Sequence, residues 1–387
     1  MKKYVYLDYA AATPIDPIIR DFYVKQLEKY GNSSSLHKIG REAAKELEKS
    51  RRAIAEVLNS RPEEIIFTGS GTESNNLAIL GVARANKNKG RHLITTQIEH
   101  KSVSDVFEHL GKEGFKITYI GVNNSGLVNP GDIAKSIRRD TTLISVICAS
   151  NEIGTIQPIS KIGEVIKKKR KETGAPAFFH TDACQASGFL PLDANKLNVD
   201  LMTINSSKIY GPKGAACLYI KRGIELEPVL YGGDHERGLR PGTVNVPAIS
   251  AFAEALKIAD FRKTGESKQL LKLRNYLIGE LLKIPGASIN GDIKNRLPNN
   301  INVSFKGIAG EMLVLLLDKN GVGVSIGSAC TANETGPSHV LKAIGATKND
   351  NIRITMGRWT TKEEIVRATP IIIDCVQKLW RLDQNPN

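Results

Sequence analysis

The stretch FFHTDACQASGFLPLDANKLNVDLMTINSSKIYGPKG, residues 178–214, holds two short apolar runs that each end in polar residues. Ala177-Phe178-Phe179 leads to Asp182, and Leu201-Met202-Thr203-Ile204 leads to Lys208 and a glycine-rich turn. Buried strands that stop at such residues place them at the carboxyl end of a parallel sheet, where the ligand crevices of α/β proteins form. A carboxylate and an amine in one crevice are what pyridoxal phosphate (PLP) requires: an amine for the aldehyde carbon and an anion for the ring nitrogen. The same letters also suit a structural Asp and a surface Lys that never meet.

Working outward, helical and strand patterns alternate from about residue 17 to residue 260, which predicts βα units and a parallel sheet. Residues 41–58 have apolar positions at helical spacing, and residues 64–68 (EIIFT) form a buried strand followed by a helix from residue 73. Further strands are predicted at residues 93–96, 116–120 and 143–147, and a helix at 159–173 that Gly174-Ala175-Pro176 ends. After residue 260 the texture changes to a charged helix at 268–283 and alternating segments at 300–305, 322–325 and 352–356 that read as antiparallel strands. A terminal helix follows at 361–382. The expectation is an α/β large domain, residues 15–260, with a mainly parallel central sheet. Residues 1–14 and 261–387 would form a smaller α+β domain.

The chain has 387 residues, 41% hydrophobic and 24% charged, ordinary for a soluble globular protein. No apolar run approaches the roughly 18 residues that span a membrane. MKKYVYLDYAAATPIDP reaches Asp8 too soon for a secretory apolar core, so a cytoplasmic protein without a targeting segment is expected. The net charge of +14 favours acidic partners or nucleic acid through long-range steering. The densest basic run, residues 167–171, reads as a solvated helix face. With 6% aromatic residues and none interleaved with basic clusters, no nucleic-acid module is expected. The five cysteines include no CxxC pair, so neither a metal site nor a disulfide framework is expected. Four of them, Cys148, Cys184, Cys217 and Cys375, read as small buried hydrophobes.

Other strand ends carry chemistry. The strand–loop–helix Ile65-Ile66-Phe67-Thr68-Gly69-Ser70-Gly71-Thr72 offers free amides to one phosphate, or is a plain capped turn. It lacks the lysine of a P-loop and the full GxGxxG of a dinucleotide site. His100 can stack on a ring and move protons, or be a bystander. Asn151 and Gln185 can contact a ring substituent or cap a helix. Cys330 lies in the small, polar GSACTANETG, which suits an exposed reactive thiol. Arg353 interrupts an apolar strand, so it binds a carboxylate substrate or makes a structural ion pair.

Taken in order, these motifs make the whole chain resemble the NifS/IscS-type cysteine desulfurases, fold-type-I PLP enzymes of the class-V aminotransferase family. The likeness runs through YLDYAAATP from residue 6, GSGTESNN at 69–76, EH at 99–100 and NEIGTIQPI at 151–159. It continues through HTDACQ at 180–185, KIYGPKG at 208–214 and GGDHERGLRPGT at 232–243. It closes with GSACTA at 327–332, PSHVL at 337–341 and IRITMGRWTT at 352–361.

The resemblance implies that Lys208 holds PLP covalently, Asp182 pairs with the ring nitrogen and His100 stacks on the ring. Asn151 and Gln185 would contact the ring oxygen, with Gly71, Thr72, Asn205 and Ser207 around the phosphate. Thr243 would reach the phosphate from the partner subunit of a homodimer. Arg353, with Asn151, would bind the substrate carboxylate. Cys330 would take the sulfur of L-cysteine as a persulfide, leaving L-alanine, with His100 as acid or base. Sulfur would pass to acceptor or scaffold proteins for iron–sulfur assembly, or for thiolation of tRNA or DNA. No resident metal is implied, Cys330 being at most a transient cluster ligand. Members of this type usually carry Ser-x-His before the lysine, where this chain has Asn205-Ser206-Ser207. Another fold-type-I activity (selenocysteine lyase or aminotransferase) and a non-catalytic scaffold are the alternatives. Cys330 argues against the first and Lys208 against the second.

Overall fold

The computed structural model describes residues 4–327, 336–346 and 350–384. The first half of the chain runs β1 (Val5–Tyr6), α1 (Pro17–Leu27), α2 (Lys38–Val57), β2 (Ile65–Thr68), α3 (Gly71–Ala85), β3 (His92–Thr96), α4 (Lys101–Lys112), β4 (Lys116–Ile120), α5 (Pro130–Ser136), β5 (Thr141–Ser145) and α6 (Ile159–Thr173). Then come β6 (Phe178–Asp182), α7 (Ala194–Leu197), β7 (Leu201–Asn205), β8 (Ala216–Ile220), α8 (Val246–Leu281) and β9 (Ala287–Ile289). The chain closes with β10 (Asn300–Phe305), α9 (Gly310–Lys319), β11 (Val322–Gly323), α10 (His339–Ala343), β12 (Asn351–Thr355) and α11 (Lys362–Gln384).

The central sheet has seven strands in the order β2-β8-β7-β6-β5-β3-β4. Every pairing from β7 to β4 is parallel, while β8 runs antiparallel to both β7 and β2. Two reversals restore direction, so β2 also ends on the same edge as β3, β5, β6 and β7. The strands β5, β7 and β8 are buried almost throughout, as expected of a sheet covered on both faces. One core lies under α2 and α8, and a second under α3 and α4.

A three-stranded antiparallel sheet, β12-β10-β9, carries a separate apolar core with the amino-terminal Val5 and Leu7. The alternation at residues 322–325 does not add a strand to this sheet. Its β11 pairs in parallel with β1, and only Ser325 bridges to Arg353 in antiparallel sense. Alternation reports which face is buried, not which neighbour a strand takes or in which direction. The helix expected at 268–283 is the second half of a 36-residue α8. Its first half packs in the large-sheet core and its second half in the small-sheet core, with Phe261 89% exposed between them. No helix among the described residues is long and apolar enough to cross a membrane.

The two parts are joined by a buried charge cluster. Arg358 donates through Nε to Glu266 on α8 at 2.6 Å and through Nη1 to Asp16 at the cap of α1. Its guanidinium lies 4.2 Å from the Tyr210 ring centroid, and its amide donates to Tyr210 Oη at 2.7 Å. Arg358→Ala leaves Glu266 without its cation and Asp16 with only the longer contact to Arg262 at 4.0 Å, so it should destabilise the fold by roughly 3–5 kcal/mol in denaturant titrations, with Arg358→Lys recovering part. Loss of less than about 1 kcal/mol would show the cluster to be dispensable.

His180 sits fully buried in β6 between Ser145 Oγ (2.8 Å) and Thr203 Oγ1 (3.1 Å). Burial pushes its pKa down to about 4. The unfolded chain protonates this histidine near its ordinary value of about 6.5, so stability is intact above that pH and lost as pH falls towards 4. The loss attributable to His180 should be about 2 kcal/mol between pH 7 and pH 5. His180→Gln should flatten that stretch of the stability curve; an unchanged slope would show that His180 does not contribute.

Candidate active site

A cavity of about 230 Å³ opens where the parallel strands end. It gathers Gly71 and Thr72 after β2, His100 after β3, Asn151 after β5, Asp182 and Gln185 at β6, Asn205 and Lys208 at β7, and Arg353 from the small sheet. All of these were expected from the sequence. Ala10, Ala11, Asn75, Ser102, Ile147 and Cys184 complete the lining and were not. Ser207 and Thr243 do not line it. Ser207 turns to Asn205, its amide and Oγ both donating to Asn205 Oδ1 at 3.2 Å. Thr243 is exposed on the surface. Cys330 lies outside the described residues.

Lys208 follows β7 in a short 3₁₀ turn that Asn205 caps. Its ammonium donates to two neutral carbonyls, Ala10 O at 2.8 Å and Ala11 O at 2.6 Å. It makes no ion pair among the described residues, and burial lowers its pKa. Asp182 is 5% exposed, with Oδ2 accepting from Asn75 Nδ2 at 2.8 Å and Oδ1 from the Cys184 amide at 2.9 Å. It too has no cationic partner among the described residues. A buried carboxylate facing a cavity without a cation is costly unless something positive arrives.

Ser70 caps α3 by accepting from the Glu73 amide at 3.1 Å. Glu73 in turn accepts from the Gly69 amide at 2.8 Å and from Arg240 Nε at 2.8 Å, which fixes the loop. The first-turn amides of Gly71 and Thr72 have no intrahelical acceptor and face an anion naturally. A Cβ at Gly71 would stand 2.9 Å from Cys184 Sγ and 3.4 Å from Asn205 Nδ2. Only glycine leaves that cradle open.

His100 caps α4, its Nδ1 accepting from the Ser102 amide at 3.1 Å. Burial lowers its pKa, so the ring is neutral and can take a proton. Its neighbour Glu99 is fully buried, accepting from Thr96 Oγ1 (2.6 Å) and from the Ile147 amide (2.9 Å). Burial raises the Glu99 pKa to about 8.

Arg353 is 2% exposed. Its Nη2 donates to Asp8 Oδ1 at 2.7 Å and its Nη1 to Asn151 O at 3.0 Å, while Nε is buried without a partner. Of the two sequence readings, the structural ion pair is present, and Arg353 also lines the cavity. Gln185 donates to Ala10 O at 3.0 Å. Cys184 is only partly buried, unlike Cys148, Cys217 and Cys375. Burial and the Asp182 carboxylate raise its pKa well above the usual value, so it remains a thiol.

These groups fit pyridoxal phosphate. Among the described residues Asp182 has no cation, where a ring nitrogen needs an anion, and Lys208 offers an amine with no carboxylate partner, while the Gly71 amide opens on the same cavity, where a phosphate needs donors.

The aminotransferase class-V family model matches residues 5–367. The chain is 43% identical to cysteine desulfurase IscS of Dictyoglomus turgidum, over 98% of this chain and 96% of that protein. It is 42% identical to cysteine desulfurase IscS of Methanosarcina thermophila, over 97% of this chain and 93% of that one. Among solved structures, a NifS-like protein superposes with a TM-score of 0.90 at 37% identity, covering 97% of this chain and all of that one. A match of this extent places the chain in the PLP-dependent class-V aminotransferase family, within its NifS/IscS-type cysteine desulfurase group.

Proposed function

We propose that this chain removes sulfur from L-cysteine, releasing L-alanine and holding the sulfur as a persulfide on Cys330. The observation that carries this reading is the meeting in one cavity of Asp182 and Lys208, neither in an ion pair among the described residues, with Arg353. Gly71 and Thr72 would hold the cofactor phosphate, with Asn205 beside them, Asp182 the ring nitrogen, and Gln185 and Asn151 the ring oxygen. His100 would cover the ring. When bound, pyridoxal phosphate supplies the electron sink that makes the substrate α-proton acidic.

The residues of the chain do the rest. Arg353 receives the substrate carboxylate on the N–H groups that Asp8 and Asn151 leave free. Lys208 takes and returns protons at the substrate α-carbon, a task eased because burial already weakens its hold on a proton. His100 exchanges a proton at the substrate sulfur. The Cys330 thiolate attacks that sulfur; a sulfur–sulfur bond forms as the carbon–sulfur bond breaks. The carbon keeps the bonding pair and gains a proton, completing the methyl group of alanine, so no outside oxidant is needed. In a homodimer, Thr243 would reach the phosphate site of the partner subunit. The persulfide then passes to an acceptor for iron–sulfur assembly, or for thiolation of tRNA or DNA.

Two variants test this. Cys330→Ala should lower sulfide release from cysteine by on the order of 10³-fold while the visible absorbance of the bound cofactor stays unchanged. Full activity in that variant would sink the assignment. Arg353→Lys keeps the charge but loses the fork, so KM for cysteine should rise roughly 10- to 100-fold with a smaller effect on kcat. An unchanged KM would leave Arg353 with its ion pair alone.

A further inference from the structure

Both ends of the segment that carries Cys330 are tied to the walls of the cavity. At the near end, the Ser325 amide donates to Arg353 O at 3.1 Å, and Asn351 Nδ2 donates to Ile326 O at 2.8 Å. At the far end, Ser338 Oγ donates to Glu152 Oε2 at 2.6 Å. His339 Nε2 donates to the carbonyl of Glu99 at 2.8 Å. Glu152 directly follows Asn151, and Glu99 directly precedes His100.

The far-end bonds come from the cap and first residue of α10, a five-residue helix too short to persist by itself. It is held by a small apolar cluster of its own, in which Val340, Leu341 and Ile344 pack on Ile98, Ile147 and Ile153. That cluster stands apart from the cores of both sheets and reaches the cavity lining at Ile147. Glu152 is 1% exposed and has no cationic partner among the described residues; Ser338 supplies a hydroxyl to its carboxylate. Among the described residues this hydroxyl is the carboxylate's one side-chain donor, and such burial is a poor way to gain stability. It is a good way to fix a position.

We propose that Ser338 and His339 are positioning residues of the sulfur-transfer step. They set the far end of the Cys330 segment against the turns that bear Asn151 and His100, so the thiol meets the substrate sulfur. The proposal rests on Cys330 as the sulfur acceptor.

The test compares the PLP-loaded wild type with the S338A/H339A double variant. Cysteine should perturb the cofactor spectrum of both proteins alike, with KM within about twofold. Single-turnover persulfide formation on Cys330, read by mass spectrometry, and kcat should fall roughly 10- to 100-fold in the variant. S338T and H339Q, which keep a hydroxyl and an N–H donor, should restore most of the rate. Without activity as the readout, trypsin should cut after Lys342 in α10 at least about threefold faster in the variant. A wild-type persulfide rate in S338A/H339A overturns the proposal. So does a loss of substrate binding in step with kcat, which would mean general support of the site. Should the double variant fail to fold, S338A with its S338T rescue decides by the same criteria. A wild type that forms no persulfide on Cys330 overturns the function as well, whereas the other failures overturn the anchor alone.

Discussion

A guanidinium that is almost wholly out of water must be given acceptors, and at Arg353 this requirement organises the molecule. Arg353 belongs to the small sheet, Asp8 to the amino-terminal segment and Asn151 to the turn after β5 of the large sheet. Satisfying one charge therefore brings three distant stretches of chain to one point. The segment after Asp8 is held further by Thr355, whose Oγ1 accepts from the Ala10 amide at 2.9 Å. So fixed, it turns the Ala10 and Ala11 carbonyls towards the cavity, where they accept from Lys208 and Gln185. The Lys208 amine is thus parked by backbone groups that Arg353 indirectly sets in place.

The turn after Lys208 is held at a cost. Tyr210 has φ of 65°, a left-handed conformation that a bulky residue adopts only when its surroundings over-determine it. Here they do. Thr13 Oγ1 accepts from its amide at 2.9 Å, Arg358 lies over its ring, and Trp359 meets the ring edge-on at 5.1 Å. Gly211 follows because a Cβ there would collide with Ser206. The result is a sharp exit from β7 that leaves Lys208 pointing along the strand end instead of away from it. The charge cluster that joins the two halves of the chain therefore also shapes the turn that bears Lys208.

How much of this was legible depended on whether the signal was local. Asp182, Lys208, His100 and Asn151 were readable because each sits just past a buried apolar run, and strand ends share one edge of a parallel sheet. Asn75 was within sight in GSGTESNN, one helical turn after Gly71, yet nothing local marks it as the partner of Asp182. β8 is a five-residue run after a glycine turn, and its antiparallel entry between β2 and β7 depends on pairing that no local pattern encodes. The ion pair of Asp8 with Arg353 spans 345 positions and is invisible to spacing. Cys184 was misread because a lone cysteine is most often a small buried hydrophobe; its place two residues beyond a cavity carboxylate was the better guide. The continuity of α8 was hidden by the exposed, polar stretch where it passes from one core to the other.

The departure at residues 205–207 shows how a site can keep a donor while changing the residue that provides it. Two groups of Ser207, its amide and its hydroxyl, donate to Asn205 Oδ1, so that oxygen is committed. An amide whose oxygen is fixed has its nitrogen fixed as well, and Nδ2 is then the end that faces the Gly71 cradle. The distance of 3.4 Å from Nδ2 to the Cβ position at Gly71 places an N–H donor beside the amides of the helix start. In the function proposed above, the phosphate would meet Asn205 where the family pattern has serine. Ser207, standing where that pattern has histidine, would act only by holding Asn205. A neutral amide carries no charge, so phosphate binding in that function would lean more on the helix dipole of α3 and on its free amides. The Gly69–Thr72 loop is braced to suit that demand, with Glu73 tied to Gly69 on one side and to Arg240 on the other.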